Sequence, residues 1–110
     1  MTEYLQISTT TASKEDAARI SSVIVEKRLA ACAQVIGPIT STYWWKDKIE
    51  EEEEWLCIMK STNDRYNELE KTIKDLHPYE VPEIVAVPIV AGSQEYLEWL
   101  KKEVLMGPNL

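Results

Sequence analysis

The spacing of apolar and polar residues predicts a strand followed by a helix at the start of the chain. Residues 4–9 alternate between apolar and polar, which is the period of a β-strand. Ser13 and Asp16 then form the pattern of an N-terminal helix cap. Apolar residues follow at helical spacing as far as about Leu29, so we expect the first helix to end there.

Two long strands are predicted in the middle of the chain. Residues 30–45 have strand period, and Gly37-Pro38 interrupts them at a point where we expect a β-bulge. Residues 46–48 form a short turn, and residues 49–60 return as a strand of similar length. We expect this β-hairpin to be too long for one small domain to cover.

The register of this hairpin separates the two cysteines. If Trp45 pairs with Ile49, Cys32 and Cys57 lie about five residues apart along the ribbon, or roughly 17 Å. A disulfide requires Cα atoms within about 7 Å of each other. We therefore expect both thiols to be reduced and to act as small apolar groups.

The second half of the chain repeats the order of helix and strand. Residues 66–76 carry an apolar face at spacings of three and four, and residues 83–90 are nearly all apolar, which suits a strand covered on both faces. Pro88 must then lie near the end of that strand. A last helix follows Gly92. The order predicts an α+β ferredoxin-like sandwich, βαββαβ plus a C-terminal helix, with helices on one face of an antiparallel sheet.

Length and charge limit the possible functions. The 110 residues form one domain, 1–110, and 45% of them are hydrophobic, as in an ordinary globular protein. The net charge of -7 and the absence of a basic stripe argue against a nucleic-acid partner. No apolar run approaches the ~20 residues that span a bilayer, so we expect no membrane partner and a cytoplasmic, untargeted protein.

The only histidine lies in a segment that prolines make rigid. His77 precedes Pro78, and Pro82 follows four residues later, so the backbone between them is restricted. Tyr79 and Glu80 add polar groups, and such a segment is a candidate site. The alternative is a simple helix stop, with His77 as a cation near the negative helix end. From these residues alone we favour the helix stop.

Five consecutive glutamates, residues 50–54, suggest cation binding at first sight. Strand alternation sends Glu51 and Glu53 to one face and the other three to the opposite face, so the five cannot converge on one ion. The run is more consistent with a solvated segment that discourages edge-to-edge aggregation. We expect Glu53 to be the exception, since it shares a face with Trp55 and lies near Ser41.

Several motifs together resemble one family. They are Leu-Ala-Ala-Cys at 29–32, Ser-Thr-Tyr-Trp-Trp at 41–45, a carboxylate-rich strand that ends in Lys-Ser-Thr at 60–62, His-Pro-Tyr-Glu-Val-Pro-Glu-Ile at 77–84 and Tyr-Leu-Glu-Trp-Leu at 96–100. Their order and spacing resemble the CutA family, the divalent cation tolerance proteins. The resemblance implies a ferredoxin-like fold in a tight homotrimer, in which long hairpins complete the sheets of neighbours. It also implies a role in tolerance to copper and other divalent metals, with no established catalytic activity.

The residues themselves favour a trimer as well. Trp44, Trp45 and Trp55 lie at or near the tip of the overlong ribbon, where a monomer would expose a sizeable apolar patch. Another subunit would cover both this patch and a long unpaired edge. The alternative is a ribbon folded back on its own domain, which its length disfavours.

The residues support a metal site less strongly. Copper prefers imidazole, thiolate or thioether ligands, and the chain has one histidine, two cysteines and three methionines. Family members with a proposed copper site tend to have a cysteine at the end of the first strand and neighbouring histidines before Pro-Tyr. Here Thr9 or Thr10 and Leu76 occupy those places. For a divalent cation such as copper we expect a weaker site of His77 with Glu80, Glu83 or a carboxylate from a neighbouring subunit, or a symmetric site shared by three chains. We expect no obligatory cofactor.

A pocket between subunits is the expected functional site. Its predicted lining consists of Trp45, Glu53, Lys60, His77, Tyr79 and Glu80. This mixture of polar groups beside apolar runs is typical of a cleft.

Three functions are compatible with such a site. The first is a metal-tolerance protein that binds divalent cations at inter-subunit clefts. The second is a trimeric signalling or scaffold module, similar to the PII regulators in architecture, that binds a small ligand or a protein. The third is an enzyme with His77 as its base, and nothing in the sequence resembles a set of nucleophile, base and orienting residue. We therefore predict no enzymatic activity.

Overall fold

The structure, a computed structural model, describes residues 3–105, so the ends of the predicted domain 1–110 lie outside it. Its elements in chain order are β1 (Tyr4–Thr11), α1 (Lys14–Glu26), β2 (Cys32–Trp45), β3 (Lys48–Thr62), α2 (Tyr66–Leu76), β4 (Val85–Pro88) and α3 (Gln94–Leu105), with one turn of 3-10 helix (Asn63–Arg65) before α2. The strands form one antiparallel sheet in the order β2-β3-β1-β4. The predicted α+β class and antiparallel sheet are confirmed.

The main core lies between the sheet and the first two helices. Ile7 of β1 and Met59 of β3 are fully buried against Ile20 of α1 and Ile73 of α2. The alternating strand residues and the three-and-four spacing on the helices together supply this apolar layer. Leu100 and Val104 of α3 are also buried, although they lie outside this cluster.

Helix α1 begins as predicted and ends earlier. The Ser13 hydroxyl accepts a 3.1 Å hydrogen bond from the backbone N–H of Asp16, as expected for the cap. The helix ends at Glu26 and not at Leu29, because Arg28 adopts a φ of 58° and cannot continue a right-handed helix.

The hairpin turn is tighter than predicted. Lys46 and Asp47 both have positive φ, 50° and 64°, so they form a two-residue turn that brings Trp45 opposite Lys48. The predicted pairing of Trp45 with Ile49 is therefore wrong by one residue. The predicted bulge is confirmed, since the register shifts between Ile36 and Ile39.

This register also settles the position of the cysteines. Cys32 pairs with Lys60, and Cys57 pairs with Val35, so the two thiols lie on opposite faces of the sheet. Both are free. Burial raises the pKa of the Cys57 thiol, which lies 2.9 Å from the Ser21 hydroxyl. A raised pKa leaves fewer reactive thiolates, in keeping with an inert core residue.

Strand β4 is shorter and more exposed than predicted. It covers only Val85–Pro88 at the edge of the sheet, where it pairs with β1. Val85 and Val87 are each about half exposed, at 48% and 50%, so the expectation of a strand covered on both faces is wrong for a single chain. Pro88 is the last residue of the strand, as predicted.

Within residues 3–105, no helix is long and apolar enough to cross a membrane.

Candidate functional site

A large cavity lies between the hairpin and the segment that follows α2. It has a volume of about 820 Å³. One wall comes from the ends of β2 and β3 near the turn, and the other comes from residues 79–83. Carboxylates and aromatic rings dominate the lining, with Thr10 of β1 at its base. The site therefore combines negative charge with aromatic surface.

Alternation along β3 decides which glutamates reach the cavity. Glu50, Glu52 and Glu54 line it, whereas Glu51 and Glu53 do not. Glu54 is only 5% exposed, although its neighbours in the run are at the surface or half-buried. Because side chains alternate along a strand, three of the five glutamates place their carboxylates on the face of β3 that lines the cavity.

Tyr79 connects the irregular segment to the buried glutamate. Its phenol donates a 2.6 Å hydrogen bond to Oε2 of Glu54. Burial raises the pKa of Tyr79, and the hydrogen bond to Glu54 raises it further. The phenol therefore stays protonated and keeps donating at neutral pH.

A second tyrosine repeats this arrangement nearer the hairpin turn. The Tyr43 phenol donates a 2.9 Å hydrogen bond to Oε1 of Glu52 on the neighbouring strand. This bond, together with the negative field of the glutamates, raises the pKa of Tyr43. Two of the three aligned carboxylates are thus oriented by neutral donors and not by cations.

His77 is buried behind Tyr79, and its ring forms hydrogen bonds with two backbone groups. It is 8% exposed, and its Nε2 lies 2.8 Å from the carbonyl oxygen of Thr10. Nδ1 accepts a 3.2 Å hydrogen bond from the backbone N–H of Tyr79. Since Nδ1 accepts, Nε2 must carry the proton that is donated to Thr10, so the ring is the neutral Nε2–H tautomer.

His77 also ends α2. Its backbone N–H bonds to the carbonyl of Ile73, and its own φ and ψ of -78° and 131° are extended, as the following Pro78 requires. The helix-stop interpretation of this residue is confirmed. Its proposed role as a cation at the helix end is wrong, because the hydrogen bonds of the ring require the neutral form.

The structure brings together half of the predicted pocket residues. Trp45, Tyr79 and Glu80 line the cavity. His77 lies behind Tyr79, and neither Glu53 nor Lys60 is part of the lining.

The two hairpin residues miss the cavity for separate reasons. Glu53 pairs with Thr40 on the opposite face of the hairpin, because Ser41 pairs with Glu52. Lys60 lies near the far end of β3, where its amine donates to Oε1 of Gln34 at 2.8 Å.

Sequence reasoning missed the residues that define the site. Glu52, Glu54 and Tyr43 were not among the predicted pocket residues. The signal available was the alternation within the glutamate run, which separates the even-numbered side chains from the odd-numbered ones. The pairing with Tyr43 and Tyr79 could not be read from that pattern.

A metal ion is poorly matched to these residues within one chain. Among residues 3–105, no group of three or more histidine, cysteine, aspartate or glutamate side chains is arranged to hold one. His77, the predicted nitrogen ligand, uses both ring nitrogens in hydrogen bonds to the backbone. Ligation by His77 would require one of these bonds to break, and further ligands would have to come from another subunit.

The fold and the cavity together define a class of protein. The chain is a small α+β domain with ferredoxin-like topology, an extended hairpin and an acidic, aromatic cavity beside it. Comparison with known families makes this specific. The sequence model of the family described as "CutA1 divalent ion tolerance protein" matches residues 5–103, and the chain belongs to that family.

Individual relatives agree with this assignment. The "Divalent-cation tolerance protein CutA" of Thermus thermophilus is 44% identical over 93 residues, which cover 84% of this chain and 90% of the relative. "Protein CutA" of Homo sapiens is 43% identical over 86 residues, covering 78% of this chain and 48% of that protein. The chain therefore spans about half the length of the human relative.

Solved structures show the same fold. The divalent cation tolerance protein of Thermus thermophilus superposes with a TM-score of 0.89 at 41% identity, covering 91% of this chain and 97% of that structure. CutA of Xylella fastidiosa superposes with a TM-score of 0.90 at 35% identity, covering 93% and 98% respectively. The family takes its name from divalent ion tolerance and not from a catalysed reaction.

Proposed function

We propose that the protein acts in tolerance to divalent cations as a homotrimer, and that the cavity beside its hairpin is a binding site at the boundary between subunits. Family membership carries the first part of this proposal. The test is growth of cells that lack the protein in raised Cu(II) or Zn(II). Slower growth, restored by the wild-type chain, is the expected result, and growth indistinguishable from that of the parent cells would contradict it.

Apolar surface on the isolated chain supports the trimer. Several large apolar side chains are strongly exposed on the sheet and on the hairpin: Ile36, Trp44, Ile49, Val85 and Val87. Both β2 and β4 are edge strands with unpaired backbone groups. Contact with other copies would remove both features from water.

Sedimentation equilibrium of the wild-type chain tests the trimer directly, and a folded monomer at micromolar concentration would contradict it. A Val87→Lys substitution should weaken assembly, because it places a charge on the exposed face of an edge strand. Val25→Lys is the matched control, since Val25 is an exposed valine on helix α1. Equal effects of the two substitutions would remove β4 from the interface.

Direct copper binding is a separate part of the proposal. We place its ligands at the subunit boundary, with Glu80 and His77 as the candidates from each chain. The hydrogen bonds of His77 make it a ligand only after a local rearrangement. Calorimetric titration of the trimer with Cu(II) and Zn(II) tests this, with Glu80→Gln and His77→Ala as variants. Affinity unchanged in both would leave metal tolerance indirect.

A trimeric signalling or scaffold module is the alternative function, and the cavity volume favours a small-molecule ligand for it. Nucleotides fit this cavity poorly, because its carboxylates repel phosphate groups. A catalytic role is not proposed, since His77 commits both ring nitrogens to backbone groups. We place the protein in the cytoplasm, although the Archaeoglobus fulgidus relative is described as periplasmic.

A further inference from the structure

We infer that the cavity binds a linear organic polycation, a di- or polyamine, in preference to a single metal ion. The inference rests on the proposed function, since it assigns a ligand class to the same cavity. Three independent properties of the lining point to it: a buried carboxylate without a cation, a row of evenly spaced charges, and aromatic walls.

The buried carboxylate is that of Glu54. It is 5% exposed and lines the cavity, and none of the ion pairs formed within residues 3–105 involves it. Its carboxylate accepts a hydrogen bond from the neutral phenol of Tyr79. A cation that entered the cavity would therefore meet a buried, oriented oxygen acceptor with no competing positive charge bonded to it.

The spacing of the carboxylates favours an extended cation. Glu50, Glu52 and Glu54 follow one another on one face of β3, about 7 Å apart at the Cα atoms. The carboxylates of Glu52 and Glu54 accept hydrogen bonds from two different phenols, those of Tyr43 and Tyr79 respectively. A single metal ion needs its oxygen ligands within about 2.6 Å, whereas amines joined by short methylene chains can place one ammonium beside each carboxylate.

The aromatic walls suit an organic cation as well. The rings of Tyr43, Trp45 and Tyr79 line the cavity, and ammonium groups bind to such faces. An ammonium group already does so here, since Nζ of Lys46 lies 5.7 Å from the centroid of the Trp45 ring. Methylene groups of a polyamine would also pack against these rings, which a hydrated metal ion could not do.

Calorimetric titration with spermidine tests the inference on the assembled wild-type protein. We expect saturable binding that weakens as salt is added. An uncharged diol of similar chain length should not bind. Spermidine that shows no binding at millimolar concentration, or a diol that binds as well as spermidine, would overturn the inference.

Two substitutions locate the site, and a third controls for charge. Glu52→Gln and Glu54→Gln should each weaken spermidine binding about tenfold or more. Glu51→Gln removes the same charge from an exposed side chain outside the cavity, and it should change the affinity less than about twofold. Equal losses in all three variants would show a diffuse charge effect and overturn the inference.

The outcomes also separate this inference from the proposed function. Near-ultraviolet circular dichroism and sedimentation of each variant establish that it is folded and assembled. A trimer that binds Cu(II) but not spermidine would defeat the polyamine inference and leave the metal proposal intact. Loss of Cu(II) binding in Glu54→Gln with unchanged spermidine binding would assign the cavity to the metal. A monomer that binds spermidine with the predicted pattern would uphold the ligand class and reject the trimer.

Discussion

The phenol of Tyr79 donates a 2.6 Å hydrogen bond to Oε2 of Glu54, and the two residues are 25 positions apart in the chain. This bond joins the proline-bounded segment after α2 to the hairpin, so it fixes both walls of the cavity relative to each other. It also supplies a strong donor to a buried carboxylate. The stability of the site should therefore depend on this pair more than on any exposed ion pair.

Removal of the Tyr79 hydroxyl tests this dependence. Tyr79→Phe keeps the ring and leaves Glu54 buried without its donor, so we expect the free energy of unfolding to fall by about 1–3 kcal/mol. Tyr43→Phe is the matched control, because Tyr43 makes the corresponding bond to Glu52 at an exposed position. Its effect should be clearly smaller than that of Tyr79→Phe, because water can replace the lost donor at the exposed Glu52. Urea denaturation measures both, and equal losses would contradict the special role of Glu54.

The raised pKa of Tyr79 predicts a dependence of stability on alkaline pH. Burial and the bond to Glu54 raise this pKa in the folded state, whereas the unfolded value is about 10. As pH rises past about 10, the unfolded chain loses the phenol proton first, so the contribution of Tyr79 to stability is complete below that pH and decreases above it. The wild type should lose stability more steeply than Tyr79→Phe above about pH 10. Parallel curves measured by urea denaturation would contradict this prediction, since the other tyrosines are common to both proteins.

The sequence predicted the fold well because each element has its own local signal. Ser13 and Asp16 marked the start of α1, and Gly37-Pro38 marked the bulge in β2. The identity of the cavity glutamates was harder to predict, because it depends on the length of the hairpin turn. A turn of three residues instead of two shifts the partner of every residue in β3.

Contacts between distant segments carried no local signal. The bond from His77 to the carbonyl of Thr10 spans 67 positions, and it depends on where the end of α2 lies relative to the end of β1. The exposure of Val85 and Val87 was missed for a similar reason, since a fully apolar run predicts burial without saying whether the same chain provides the cover.

The hairpin turn offers a test of backbone strain. Asp47 has a φ of 64°, a region that glycine occupies without steric cost. Asp47→Gly should therefore stabilise the protein by about 0.5–1 kcal/mol, and Asp47→Val should destabilise it, since a branched residue is disfavoured at positive φ. Thermal unfolding of the two variants measures the effect. A stabilising Asp47→Val substitution would show that the turn does not keep this conformation in solution.

The two hydrogen bonds of the His77 ring predict a structural role that requires no metal. His77→Ala leaves the carbonyl of Thr10 and the N–H of Tyr79 without partners, so we expect unfolding to become easier by about 2–4 kcal/mol. The loss should be the same with and without a chelator, since it arises from hydrogen bonds to backbone groups that involve no metal. Glu80→Ala is the control, because Glu80 is an exposed carboxylate in the same segment and should cost under about 0.5 kcal/mol. The contrary result is a His77→Ala variant that is as stable as the wild type in chelator and differs from it only when Cu(II) is added. That result would show that the ring is a metal ligand and that its bonds to Thr10 and Tyr79 contribute little to stability.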